Sequence, residues 1–460
     1  MIDAADLALP ELGDASAGLI TPAQEYELGQ TWMKLYRAQV HTSTDPFIQT
    51  YVEQLITRLA TYSDLQDPRL DILVVENPSL NAFAVPGGVV GVNTGLFRYA
   101  QNEQQFSSVL AHELAHLSQR HYARRVQEQQ KNQIGFLAAM LTSILIAATT
   151  DGDAGIAAMS ATQAASIDAQ LRFSRYMEQE ADRIGMETMI RANMDPYAMP
   201  SMFEQMLSAA RFSRRPPEFL LTHPVTESRV ADSKLRAQQY RQKYYPPDLE
   251  YQLVQVRAEL LHEKNLNLAE RTYKDLIGNS DNFSEVPNYG LALSLTRQNK
   301  LEEARAVAKQ LLRYDADNLF YIVALAEIES ESKNFDNAIA LIENKLVSYP
   351  NHHALNIRLA EILMKASKYE KCEALLKEHV KRRPKDDYVW YLLAEVHGLA
   401  GNILDVHLAR AEYFILNGIF QKAEVQLSHA LKKSKDDRQL TAKVEQRLNE
   451  VRKLQRETKL

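Results

Sequence analysis

The pattern of apolar and polar positions predicts helices first, then a short sheet, then helices to the end. "TPAQEYELGQTWMKLYRAQ" has a helical period, with Thr21 as N-cap, Pro22 at the first helical position and Glu25 close behind. "DPFIQTYVEQLITRLATYS" sets Phe47, Tyr51, Leu55 and Leu59 at helical spacing, a second amphipathic helix. "LDILVVE" is a short β-branched run and predicts a strand. In "NAFAVPGGVVGVNTGLF", Pro86-Gly87-Gly88 marks a tight turn, so a hairpin is expected with strands near 81–85 and 89–93. Pro86 has no N–H to give to a central ladder. Residues 102–130 then predict one long helix.

Beyond about residue 250 the pattern is helical throughout and repeats. Ala292, Ala326, Ala360 and Ala394 are 34 residues apart, and Ala304, Ala338, Cys372 and Val406 follow them at a constant offset of 12. Pro350 and Pro384 keep the same period. Small residues at those two positions let paired helices approach closely, and the proline ends the second helix of each pair. The period and its small residues resemble the tetratricopeptide repeat. "KNLNLAE" fits an earlier unit. Ala411 and Ala423 are again 12 apart but out of phase, so either one helix serves two repeats or the stacking shifts. Because such repeats bury their cores against one another, residues from about 250 onward are expected to be separable, leaving a folded domain behind.

Two stretches fit neither pattern. Residues 1–20 are small, acidic and aperiodic and predict a flexible lead. They lack a basic segment and an apolar core, so they do not form a signal peptide. They read like the mature start of an exported protein whose signal has been removed. Residues 134–150, "IGFLAAMLTSILIAATT", are nearly uncharged, but 17 residues fall short of the roughly 20 that span a bilayer. They suit a buried or lid-forming helical hairpin, with peripheral membrane contact as the alternative.

Composition narrows this little. A chain of 460 residues with 45% hydrophobic and 24% charged residues has the balance of an ordinary soluble protein of two or three domains. A net charge of -6 gives no sign of a nucleic-acid partner. One cysteine, Cys372, rules out an internal disulfide.

The chemistry concentrates in "VLAHELAHLSQRHY". On a helix, His112 and His116 point the same way, about 40° apart around the axis and one turn apart along it. Both can bind one zinc ion through ring nitrogens, and Glu113 flanks that ion as a general base for water. A catalytic zinc takes a third protein ligand. The H-E-x-x-H-x-x-G-x-x-H class fails, because Gln119 and Tyr122 stand at the Gly and final His positions. His121 is out of register and reads as an exposed helix histidine. The remaining class takes a Glu from a later helix. In "SRYMEQEADRIGMETM", Glu178, Ala181, Asp182 and Gly185 share one face. Ala181 and Gly185 remove bulk, so this helix can press on the His112 helix and bring Glu178 to the zinc. Asp182 can accept the free ring N–H of a ligand histidine. Glu180 points elsewhere, into solvent.

His112-Glu113-Leu-Ala-His116 with Glu178-Gln-Glu-Ala181-Asp182, "NAFAVPGG" before and "LTHP" with Arg229 after, resemble the family of integral and periplasmic zinc peptidases that includes the CAAX prenyl protease and the bacterial heat-shock membrane protease. With the repeat array appended, the resemblance is to periplasmic members. It implies an exported protein at the inner face of the outer membrane that acts on outer-membrane β-barrel proteins as protease and assembly helper, with the barrel assembly machinery and unfolded proteins as partners. No spanning helices like those of the integral relatives are visible.

Three further groups can serve the site, or can be plain structure, His223 as a surface or cap residue and 81–84 as ordinary sheet edge. His223 can hydrogen-bond the oxyanion of the tetrahedral intermediate, or occupy the zinc's open position and hold the enzyme off. Arg229 can orient His223 or bind a substrate carbonyl. Asn81, Ala82, Phe83 and Ala84 can form a cleft-edge strand that pairs with an extended substrate. The expected architecture is α+β: a zincin-type, gluzincin-like metallopeptidase domain over 21–245, holding one Zn²⁺ through His112, His116 and Glu178, followed by an all-α tetratricopeptide solenoid over 250–460. The expected function is a zinc metalloendopeptidase. The alternative is a repeat-based chaperone or scaffold with a largely latent peptidase.

Overall fold

The computed structural model describes residues 20–128, 175–212, 216–279 and 283–457. The segment 134–150 and the lead 1–19 lie outside the described residues. Ile20, at the end of the expected lead, is buried against the first helix among Trp32, Met33 and Tyr36.

The first helix, α1, spans Pro22–Arg37, and Gln24 rather than Glu25 closes its capping box with Thr21. Helix α2, Pro46–Tyr62, buries Phe47, Tyr51, Leu55 and Leu59, and its N-cap Asp45 accepts from the backbone N–H groups of Phe47 and Ile48. Strands β1 (Asp71–Val75), β2 (Ala82–Val85) and β3 (Val89–Asn93) form one sheet in the order β1-β3-β2. β1 runs parallel to β3, and β2 runs antiparallel to it. The hairpin needs left-handed backbone at Gly87 and Gly88, φ 83° and 80°. β2 is an edge of this sheet, where Pro86 costs no ladder bond.

The long helix expected over 102–130 is two helices. α4 spans Glu103–Ser118 and α5 spans His121–Glu128, after the short α3, Leu96–Tyr99. Arg120 breaks the run with φ 47°, and neither glycine nor proline announces the break. Across α4 lies α6, Arg175–Arg191. At Gly185 a Cβ would stand 3.0 Å from the His112 backbone nitrogen, so any larger residue would push the two helices apart by a few tenths of an ångström, as the small-residue face of the sequence anticipates. Helices α7 (Ala198–Phe212), α8 (Glu218–Thr222) and α9 (Glu227–Ala237) complete the N-terminal half.

Helical pairs follow from Leu249 to the end of the described chain. Ala292, Ala304, Ala326, Ala338, Ala360, Cys372, Ala394 and Val406 are all buried between paired helices. The phase change resolves in favour of a shared helix. Ile403–Leu416 packs on both Asp387–Leu399 and Phe420–Lys433, burying Val406 toward one neighbour's repeat and Ala411 with Ala423 in the next.

The array does not stand apart from the N-terminal half. Tyr251 is buried on Tyr51, Phe97 and Phe106 and donates its hydroxyl to the Ala100 carbonyl at 2.7 Å. The Phe47 and Phe320 rings lie 4.3 Å apart. Arg257 pairs with Asp45 at 2.7 Å, Arg383 with Glu53 at 2.6 Å, and Lys385 with Asp71 at 2.8 Å. Gly418 then sits on the Lys34 carbonyl of α1. Successive repeats thus curl around α1 and α2, and the hydrophobic core runs continuously from one half into the other.

Candidate metal centre

His112, Glu113 and His116 are buried on α4, and Glu178 and Asp182 are buried on α6. His223, the C-cap of α8, reaches the same point. Ligand atoms of His112, His116, Glu178 and His223 lie within 4.8 Å of one another. The Nε2 atoms of His112 and His116 are 3.0 Å apart, and each lies 3.5 Å from a carboxylate oxygen of Glu178.

What stands behind each histidine fixes how it faces the cluster. Asp182 Oδ1 is 2.9 Å from His112 Nδ1, so that nitrogen carries the proton and Nε2 turns a lone pair inward. Behind His116 the partner is His121. Its Nδ1 is 2.8 Å from His116 Nδ1, and its Nε2 is 3.1 Å from Glu180 Oε2. Because a carboxylate only accepts, His121 donates from Nε2 and accepts at Nδ1. His116 therefore donates from Nδ1, and its Nε2 lone pair also faces inward. Two imidazole lone pairs directed at each other across 3.0 Å, with a carboxylate beside both, form a donor set suited to a cation. Burial opposes a second proton on His112, but Asp182 and Glu178 outweigh it and raise its pKa to about 9, so without a cation a proton takes the inward Nε2, and a metal ion would displace it there.

His121 and Glu180 correct the sequence reading. His121 is fully buried rather than an exposed helix residue, and Glu180 pairs with it and with Arg124, at 2.7 Å. The turn at Arg120 brings His121 back under His116, which a continuous helix would not do.

Arg229 is also placed differently from one of its two expected roles. It is 3% exposed, makes a fork to Asp182 at 2.6 and 2.7 Å, and lies 2.8 Å from Glu178. Its third contact is the Pro224 carbonyl, also at 2.8 Å. Four of its five N–H donors are taken by these contacts in a buried setting, and the Pro224 bond holds the loop that carries His223. Burial would raise the Asp182 and Glu178 carboxyl pKa values, but Arg229, with His223 in the case of Glu178, reverses this and keeps both ionised.

Glu113 differs in this respect. Burial raises its pKa, against the opposing pull of His223 and His112, and the backbone N–H of Ala84 donates to its carboxylate. His223 bridges the site: Nδ1 lies 3.1 Å from Glu178 and 3.5 Å from His112 Nε2, while Nε2 lies 3.5 Å from Glu113. The Phe219 ring stacks on it at 4.9 Å. The same segment covers the start of β2. The Phe219 N–H donates to the Leu80 carbonyl at 3.2 Å, and Asn81 donates to Glu218 at 3.2 Å. Asn81, Ala82, Phe83 and Ala84 line the edge strand beside Glu113, but all four are buried, and Phe83 packs inward on Trp32 and Tyr36.

Comparison with known proteins identifies the family. The model of peptidase family M48 matches residues 46–237, and a tetratricopeptide repeat model matches residues 330–396. The beta-barrel assembly-enhancing protease of Escherichia coli O157:H7 is 31% identical over 454 residues, 98% of this chain and 93% of that protein. A putative beta-barrel assembly-enhancing protease of Vibrio cholerae is 32% identical over 423 residues, 91% of this chain and 86% of that protein. The mitochondrial metalloendopeptidase OMA1 of Schizosaccharomyces pombe is 31% identical over 180 residues, 39% of this chain and 50% of that protein.

Proposed function

This chain belongs to the family of the beta-barrel assembly-enhancing proteases, with an M48 metallopeptidase half and a tetratricopeptide repeat half, and from that premise we propose a zinc metalloendopeptidase that acts on outer-membrane β-barrel proteins. The observation that carries the reading is the pair of inward-facing Nε2 atoms of His112 and His116 with Glu178 beside both. These three residues would hold one Zn²⁺ in a gluzincin-like set, two histidines and a glutamate from a later helix. When bound, the ion supplies a Lewis acid for the scissile carbonyl and lowers the pKa of the attacking water.

The chain's own residues do the rest. Glu113 takes a proton from the water on its carboxylate and passes it to the leaving amine. A carboxyl whose pKa is raised by burial holds that proton more readily than an exposed one. The N–H of Ala84 fixes the carboxylate against β2, and an extended substrate would pair along that strand once the Phe219 segment moves off its edge. Asp182 and the His121–Glu180 pair hold the two histidines in their ligating tautomers.

In the resting arrangement His223 would fill the remaining ligand position, which gives the peptidase a latent state. The repeats would recruit β-barrel substrates, unfolded proteins and the barrel assembly machinery. The periplasm, at the outer membrane, is the compartment this substrate requires. No described helix is long and apolar enough to cross a membrane.

The test is zinc content together with hydrolysis of an unfolded protein. Glu113→Gln should keep zinc and lose proteolysis, and His112→Ala and Glu178→Ala should lose zinc. A folded Glu113→Gln protein that cleaves at the wild-type rate would remove Glu113 as the base.

A further inference from the structure

A second group of metal-type ligands lies in the array, on helices that contribute nothing to the peptidase site. Glu373 is on Tyr369–Arg382, His397 on Asp387–Leu399 and Asp405 on Ile403–Leu416. One ligand atom from each lies within 4.8 Å of the others. His397 is 2% exposed, and its Nδ1 has no hydrogen-bond partner. A buried ring nitrogen without a partner costs stability unless something satisfies it. This one points at two carboxylates, Glu373 Oε1 at 3.6 Å and Asp405 Oδ2 at 3.9 Å.

Those separations are too long for hydrogen bonds. They are near the spacing of two atoms that share one ion. Ligands about 2.1 Å from a tetrahedral centre stand roughly 3.4 Å apart. Glu373 is held for this by Asn402, whose Nδ2 donates to its other oxygen at 2.9 Å. The competitor is Lys377. Its ammonium pairs with Glu373 and lies 3.9 Å from Asp405, but its side chain is 47% exposed, so water can solvate the ammonium once an ion displaces it.

We propose that Glu373, His397 and Asp405 form a second divalent-cation site, selective by its one imidazole and two carboxylates for zinc-class ions, that pins three consecutive helices of the array. Its place in the fold gives it a consequence. Ile403–Leu416 is the helix shared by two repeats, and Gly418, just beyond it, seats the array on α1. An ion across Glu373, His397 and Asp405 stiffens the segment through which the far end of the array grips the peptidase half.

The test is equilibrium dialysis of the full chain against Zn²⁺ alone, followed by elemental analysis. Wild type should bind two equivalents and His397→Ala one. Asp405→Asn, at a half-buried position, should also bind one, without disturbing the core. His116→Ala should bind one as well, having lost the peptidase equivalent instead. Lys377→Ala should tighten the second equivalent about thirtyfold, the effect of removing one unit charge near 4 Å from a divalent ion in a water-like medium. Zinc should slow backbone hydrogen exchange over 397–420 in wild type and in His116→Ala, but not in His397→Ala. Wild-type stoichiometry in both His397→Ala and Asp405→Asn would overturn the proposal. Failure of the peptidase reading would look different, with wild-type stoichiometry in His116→Ala alone.

Discussion

His121 Nδ1 lies 2.8 Å from His116 Nδ1, and through this contact a residue that ligates nothing sets the tautomer of one that would. Glu180 behind it supplies the fixed acceptor that orders both rings. His121→Ala and Glu180→Gln are therefore expected to weaken zinc binding by about 10- to 100-fold while leaving the fold intact. Competition with a chelator of known affinity measures this. Unchanged affinity in both variants would mean that His116 keeps its orientation without them.

His223 tests whether the resting site is blocked. Its Nδ1 faces Glu178 and its Nε2 faces Glu113, so the imidazole would compete with the attacking water for the remaining ligand position. His223→Ala is expected to raise proteolysis, including self-cleavage, with zinc retained. A role at the oxyanion predicts the reverse, a fall of roughly 10²-fold or more. A steady-state rate decides between them, and an unchanged rate would exclude both.

The array should matter to the stability of the peptidase half. Asp45 is buried; burial opposes its ionisation, but Arg257 and Arg358 bring its pKa down to about 2. Arg257→Ala leaves that carboxylate buried with less of its compensation, at a cost of about 3–5 kcal/mol. Removing residues 249 onward also strips Tyr251 from Phe97 and Phe106, and Phe320 from Phe47. The truncated peptidase half should melt well below the full chain. Equal melting temperatures would restore the picture of two independent halves.

Acid should loosen the same contact. His353 Nδ1 and His379 Nε2 are 3.0 Å apart, beside Asp386 and the Arg383 that pairs with Glu53. Burial, reinforced by Arg383, holds the His353 pKa down to about 3 and the His379 pKa to about 4. Above about pH 6.5 both histidines are neutral in the folded and unfolded chains and contribute nothing. Below it the unfolded chain takes up protons that the folded chain refuses, so stability falls by at most about 1.4 kcal/mol per pH unit for each histidine. Denaturant unfolding at pH 7 and pH 5 should show the loss, and His353→Leu with His379→Leu should flatten it. A slope that survives the double substitution assigns it elsewhere.

The sequence by itself determined what is local or periodic. A spacing of i and i+4 puts His112 and His116 on one side of any helix, and the 34-residue recurrence of small side chains can be satisfied only by close-packed helical pairs. Ala181 and Gly185 announced the close approach that brings Glu178 and Asp182 to α4, because missing bulk on one face is itself a packing instruction. Only the tertiary structure decided the rest. His121 turns under His116 through one left-handed residue, Arg120, whose side chain carries no signal for such a turn. The commitment of Arg229 to Asp182, Glu178 and Pro224 depends on how helices distant in sequence meet. The docking of the array on α1 and α2 rests on pairs such as Arg257 with Asp45 and Arg383 with Glu53, over 200 residues apart in the chain. Periodicity reports which face of a helix is buried; it carries no information about which partner buries it.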